Sequence, residues 1–181
     1  MTNESLAEVA GLLHQRNAID TKLADMMGWP MTSGHLGEWL AERIFDIDLE
    51  TSATAKGIDG RFRQGPLRGR SVNVKWYLKR EGILDMVVAD DPDYYLVLVG
   101  PTVPAGSSRG ATRPWTIEAV HLFDTVALRT RLTEAGVKIG TATSVRAAYW
   151  AEAEVYPRAG EALVLTDEQR AQLALFRAPA A

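Results

Sequence analysis

The sequence predicts an α/β fold with a mixed central sheet flanked by helices. Three observations carry that expectation. Apolar residues in the first fifty positions recur at three- and four-residue spacing, as on the buried stripe of a helix. From Ser71 to Leu78, Val72, Val74 and Trp76 alternate with Asn73, Lys75 and Tyr77, as on a strand with one buried face. Asp93-Tyr94-Tyr95-Leu96-Val97-Leu98-Val99 is a continuous apolar run of the kind that a strand covered on both sides requires. With 181 residues, 46% of them hydrophobic and 24% charged, the chain can bury a core and is expected to fold as a single domain, residues 1–181.

Residues 3–27 read as an amphipathic helix carrying Leu6, Val9, Leu12, Leu13, Ile19, Leu23 and Met26, with Ser5 and Glu8 as a capping box and Gly28 and Pro30 as its stop. Such a helix serves packing or dimerisation, so a homodimer through it is one expected partnership. A second helix starts after Thr32 or Ser33 and runs to about Asp46, burying Leu36, Leu40 and Ile44 together with Trp39 and Ile47. Glu38 and Glu42 share a different face of it, with His35 one turn before Glu38.

A hairpin follows. Ile58 and Phe62 bracket a short strand, Gly65, Pro66 and Gly69 mark the turn, and the Ser71–Leu78 strand returns. Residues 80–89 read as a short helical or irregular connection, and the apolar run after Pro92 as the central strand. Residues 101–112 read as a surface loop that leaves Arg109 and Arg113 available to a ligand. Beyond it are expected a strand over Trp115–Phe123, a helix over Thr125–Ala135 ended by Gly136, a strand over Val137–Val145 bent at Gly140, and a last helix from the capping box Thr166-Asp167-Glu168-Gln169 to about Phe176.

Composition excludes several classes of function. The chain has no cysteine, which removes disulfides and thiolate-bound zinc, and no apolar run long enough to cross a bilayer. Glu4 and Glu8 stand where a secretion signal would be basic, so a cytoplasmic location without membrane association is expected. Phosphate-loop, dinucleotide and nucleophile-elbow fingerprints are missing. The formal charge is −3, yet Lys56, Arg61, Arg63, Arg68, Arg70, Lys75, Lys79 and Arg80 fall in one segment whose only acid is Asp59. A local positive field in an acidic chain suits an anionic ligand such as nucleic acid.

A helix bearing Glu38, a strand entered at Asp59 and an adjacent strand carrying Asn73-Val74-Lys75 form the arrangement a metal-dependent phosphodiesterase needs. Asp59 anchors a hard cation, Asn73 adds an oxygen, and Glu38 approaches from the helix or holds a metal-bound water. Lys75 orients or deprotonates the attacking water and neutralises charge in the transition state. Lys56, Arg61, Arg63, Arg68, Arg70, Lys79 and Arg80 then hold backbone phosphates, with Tyr77 as the aromatic exposed beside them. Taken singly, each residue has a plainer reading: Asp59 before Gly60 is a turn residue, Lys75 lies along a strand edge, Glu38 and Glu42 are solvated helix charges. Their joint order beside the densest basic segment favours a site.

GHLGEWLAERIF, KGIDGRF and SVNVKW, in that order and followed by DYYLVLVG, resemble the PD-(D/E)xK, or restriction-endonuclease-like, nuclease superfamily. The resemblance covers residues 32–100 and implies an αβββαβ core, to which the helix 3–27 and a C-terminal α/β extension, residues 113–177, are additions. It implies cleavage of DNA phosphodiester bonds with Mg2+ or Mn2+, in host defence or DNA processing. Asp59 falls at the first metal-binding acid, Asn73 at the (D/E) position, Lys75 at the motif lysine, and Glu38 at the acid of the first core helix. Asn73 departs from the pattern, since an amide oxygen stabilises a cation less than a carboxylate does. Either Asn73 suffices with the backbone carbonyl of Val74, or Glu38 or Asp85 completes the site, or catalysis is lost and a nucleic-acid-binding or assembly module remains. Duplex, single-stranded or modified DNA and RNA all stay open as substrates.

Overall fold

The computed structural model describes residues 3–50, 57–86, 92–102 and 114–179. Its centre is a six-stranded mixed sheet ordered β1-β2-β3-β5-β6-β8, formed by β1 (Ile47–Leu49), β2 (Gly60–Phe62), β3 (Ser71–Tyr77), β5 (Tyr94–Val99), β6 (Ala119–Asp124) and β8 (Glu154–Tyr156). Two-residue strands β4 (Ile83–Leu84) and β7 (Thr143–Ser144) pair separately. The helices are α1 (Asn3–Met27), α2 (Ser33–Ile44), α3 (Thr125–Glu134), α4 (Ala147–Ala153) and α5 (Asp167–Ala174). Neighbouring strands of the main sheet are antiparallel except β3 and β5, which run parallel from Val72 opposite Tyr94 to Tyr77 opposite Val99. Among the described residues no helix is long and apolar enough to cross a membrane.

The apolar run does form the buried central strand, and its alternation divides the core in two. Leu96 and Leu98 join Val72, Val74 and Trp76 of β3 beneath Leu40, Ala41 and Ile44 of α2 and Leu173 of α5. Tyr95, Val97 and Val99 point the other way, under Leu128 and Leu132 of α3 and Trp150 of α4. A parallel strand needs cover on both faces, and these two helical layers supply it.

Several elements depart from the sequence-based expectations. The second helix ends at Ile44, Asp46 takes a positive φ of 53°, and Ile47 opens β1 instead of closing the helix. The connection after β3 contains, in its described part, β4 and no helix, so the second helix of an αβββαβ core is not among the described residues. Of Val137–Val145 only Thr143–Ser144 is strand, while α4 and β8 lie where the sequence gives weak signals. Lys56, Arg109 and Arg113 lie outside the described residues.

The first helix spans its expected range but already begins at Asn3, which places Ser5 inside it and not at a cap. Its apolar residues are not a core stripe either: Leu6, Val9, Leu12, Leu13, Ile19 and Met26 are each more than half exposed. At the other end of the chain the expected capping box is complete, Thr166 and Gln169 exchanging side-chain and backbone hydrogen bonds. Gln169 also donates through Nε2 to the carbonyl of Ile44 at 2.8 Å, tying α5 to the end of α2.

Candidate active site

The candidate site lies where β2 stops and β3 continues. Asp59 extends the β2 ladder by one residue, its N–H donating to the Val72 carbonyl and its carbonyl accepting from the Glu50 N–H, each at 2.9 Å. β3 runs on to Tyr77 with no strand of β2 beside it, which would leave the edge N–H of Val74 without a partner. The Asp59 carboxylate takes that bond, Oδ2 accepting from Val74 N–H at 2.7 Å. The N–H and C=O of one strand residue point to the same edge, so the Val74 carbonyl opens onto the same fork.

Helix α2 brings Glu38 to this fork by close approach. Gly37 is buried against β3, and a Cβ built on it would sit 3.2 Å from Cβ of Trp76. Thr32 caps the helix by accepting from the His35 N–H at 3.1 Å, which fixes the phase of the first turn. Burial raises the pKa of Glu38, the Asp59 charge raises it further, and His35 and Lys75 act in the opposite sense. Burial likewise pushes Asp59 up, against the Val74 hydrogen bond and the charge of Lys75. Glu38, Asp59 and Lys75 therefore lie within one another's fields. Lys75 is half-buried and makes no ion pair with the described residues.

Asn73 enters from the same strand. It is 2% exposed, its Nδ2 donates to the Gly57 carbonyl at 3.1 Å, and its Oδ1 is buried without a hydrogen-bond partner. An orphaned buried carbonyl oxygen needs a donor or a cation. Among the described residues no three carboxylate or imidazole groups come together; the groups on hand are the Asp59 carboxylate, that of Glu38 within its field, and the Asn73 amide oxygen. Those groups fit a hard cation that takes few charged ligands and retains water, as Mg2+ and Mn2+ do. Asp85 is not part of the set. It accepts from the Tyr77 hydroxyl at 3.3 Å and from the Ala142 N–H at 2.6 Å.

The basic segment is less open than its sequence implies. Arg61 lies 3.8 Å from Glu50 and donates to the Gly69 carbonyl, Arg63 lies 3.4 Å from Asp48, and Arg70 lies 3.1 Å from Asp93. Lys79 pairs with Glu81 at 3.1 Å, and Arg80 sits over the Trp150 ring, against α4. Arg68 alone of these is exposed and makes no ion pair with the described residues. Tyr77 is half-buried, its hydroxyl accepting from the Asp85 N–H at 2.8 Å, and burial drives its pKa well above the ordinary tyrosine value. It pins β3 to β4 and is not the free aromatic that the sequence predicts.

The acids that neutralise Arg61 and Arg63 come from β1 and its flank, and β1 has no periodicity by which a sequence reading finds it. Asp93 is a second such residue. Its Oδ2 accepts from both the N–H and the hydroxyl of Ser71, and although burial pushes its pKa up, these bonds with Arg70 and Arg61 hold it below the usual range. It locks the start of β5 to the start of β3, which sets the register that places Asn73 and Lys75. No protein-family model matches this chain, and no curated protein matches it.

Proposed function

We propose that this protein is a metal-dependent nuclease of restriction-endonuclease-like architecture that hydrolyses DNA phosphodiester bonds. The observation that carries the reading is that Glu38, Asp59 and Lys75 lie within one another's fields where Asp59 binds the edge of β3, with an unpartnered Oδ1 on Asn73 of that strand. The chain order of α2, antiparallel β1 to β3 and then parallel β5 supports the architecture.

Asp59, Asn73, the Val74 carbonyl and Glu38 are the groups that would hold Mg2+ or Mn2+. Such an ion supplies Lewis acidity toward a phosphoryl oxygen and toward water. The chain's own groups do the rest. Lys75 orients the attacking water and offsets negative charge as the P–O bond to the leaving oxygen breaks. Glu38 would meet the ion from α2 directly or through a bound water, and Lys75 is the group placed to take the proton that the attacking water gives up. Arg68 is the open cation nearest in sequence for a backbone phosphate, and binding through Arg61, Arg63, Arg70 or Lys79 requires exchange of the acidic partner for phosphate.

A second reading is a nucleic-acid-binding or assembly module of the same fold without catalysis, and the amide at position 73 favours it. Cleavage of supercoiled plasmid and of single-stranded DNA with Mg2+, Mn2+ or EDTA separates the two. Metal-dependent nicking by the wild type, lost in Asp59→Ala and Lys75→Ala while binding persists, is the expected result. Salt-sensitive binding with no product under any metal would transfer the assignment to the inert module.

A further inference from the structure

We propose that α1 is an interface between two copies of this chain, packed antiparallel about Gln15. This inference is independent of the nuclease reading. The helix is 25 residues long, about 37 Å at 1.5 Å per residue, and only part of that length borders the body. Arg16, Ile19 and Leu23 of its C-terminal half face Leu36, Trp76 and Phe176 across an apolar groove of about 510 Å3. Leu6, Val9, Leu12 and Leu13 in the N-terminal half are more than half exposed, as are Ile19 and Met26. An apolar stripe of this extent in water marks an interaction surface.

The charge pattern says what covers it. Leu12, Ile19 and Met26 form one row at seven-residue spacing, and Glu8, Gln15 and Lys22 form the adjoining row, each one helical turn before its apolar neighbour. Glu8 and Lys22 are exposed and make no ion pair with the described residues. The polar row therefore reads negative, neutral, positive. Laid antiparallel on a second copy, the row complements itself: Glu8 meets Lys22, Gln15 meets Gln15, and Lys22 meets Glu8. In the same register Leu12 of one copy meets Ile19 of the other. A parallel pair would instead set Glu8 against Glu8. The two-fold arrangement is closed, as a dimer interface requires, and flanking opposite charges select helix orientation in this way in paired helices generally.

Sedimentation of the full chain and cysteine trapping test the proposal, the latter cleanly because the sequence contains no cysteine. The wild type is expected to sediment as a dimer, with Leu12→Glu monomeric. Glu8→Lys and Lys22→Glu should each weaken the dimer roughly tenfold, as like charges replace opposite ones at two symmetric contacts, and the double exchange should restore it. Gln15→Cys should oxidise to a disulfide-linked dimer, whereas Leu12→Cys should not. A monomeric wild type, trapping through Leu12→Cys in place of Gln15→Cys, or a double exchange no better than its parts would each overturn the antiparallel interface.

Discussion

At the scale of single residues, the site holds charges where the fold alone would prefer neutral groups. Glu38 has its pKa raised first by burial and then by Asp59, with His35 and Lys75 opposing. A carboxyl whose folded pKa exceeds its unfolded value contributes stability that is fully present below the unfolded value, near pH 4, and lost as pH rises through the folded one. The ionised form of Glu38 is thus held at a cost to the fold. Replacing it by an isosteric amide removes that cost, so Glu38→Gln should be the more stable protein near pH 7.5, with the gain shrinking toward pH 4. Urea unfolding of both proteins at the two pH values checks this, and a loss of stability at pH 7.5 would mean that Glu38 makes an attractive contact outweighing its desolvation. The orphaned amide oxygen of Asn73 belongs to the same pattern: a group left without a partner by the fold, at the place where a ligand would supply one.

At the scale of elements, Gly37 decides how near α2 comes to β3. A side chain there meets Trp76 and Val74, so α2 must retreat and carry Glu38 with it. Gly37→Leu should destabilise the protein by about 1–3 kcal/mol and should lower any cleavage activity more than it lowers nucleic-acid binding, measured by thermal melts and by the nicking assay. Equal losses of both would show that the retreat unfolds more than the site. The elements that carry this geometry were legible in the sequence for physical reasons. β3 alternates, β5 is apolar throughout, and the ends of α2 and α5 carry capping side chains, so local chemistry and final environment agree. β1 was not legible, because three residues following a helix cannot display a period of two, and the helical spacing carries through Ile47. The missed strand has a direct consequence: Asp48 and the adjoining Glu50 neutralise Arg63 and Arg61, which a count along the chain leaves bare. Residues 137–145 show the reverse error: the main sheet offers this segment no ladder, and Thr143–Ser144 pair instead with β4 in a separate two-stranded sheet. α4 has only seven residues and β8 three, too few for either period to register.

At the scale of the whole molecule, the layer beneath α3 and α4 contains the group that should set the acid limit of the fold. His121 lies in β6, wholly buried, stacked edge-on with Trp150 and facing Phe123. Its Nδ1 is 2.8 Å from the Trp150 carbonyl, an acceptor, so the neutral ring carries its proton there, while Nε2 is buried without a partner. Burial, with Arg80 and Arg158 nearby, outweighs the Trp150 bond and the Glu154 charge and brings the pKa down from 6.5 to about 4. A depressed value means that the contribution of His121 is fully present above pH 6.5 and is lost as pH falls through about 4, because the unfolded chain takes up the proton first. At 1.36 kcal/mol per unit, the loss is about 3 kcal/mol, a large share of the 5–15 kcal/mol that holds a typical domain together. His121→Phe keeps the ring but leaves the Trp150 carbonyl without its donor, which should lower stability at pH 7.5 by about 1–3 kcal/mol. The same replacement removes the titration, so the wild type should lose its advantage between pH 6.5 and 4 and the two stability curves should converge. Chemical denaturation across that range measures the slope directly. Parallel curves would place the acid sensitivity elsewhere and show that the protonated imidazole finds a partner inside the fold.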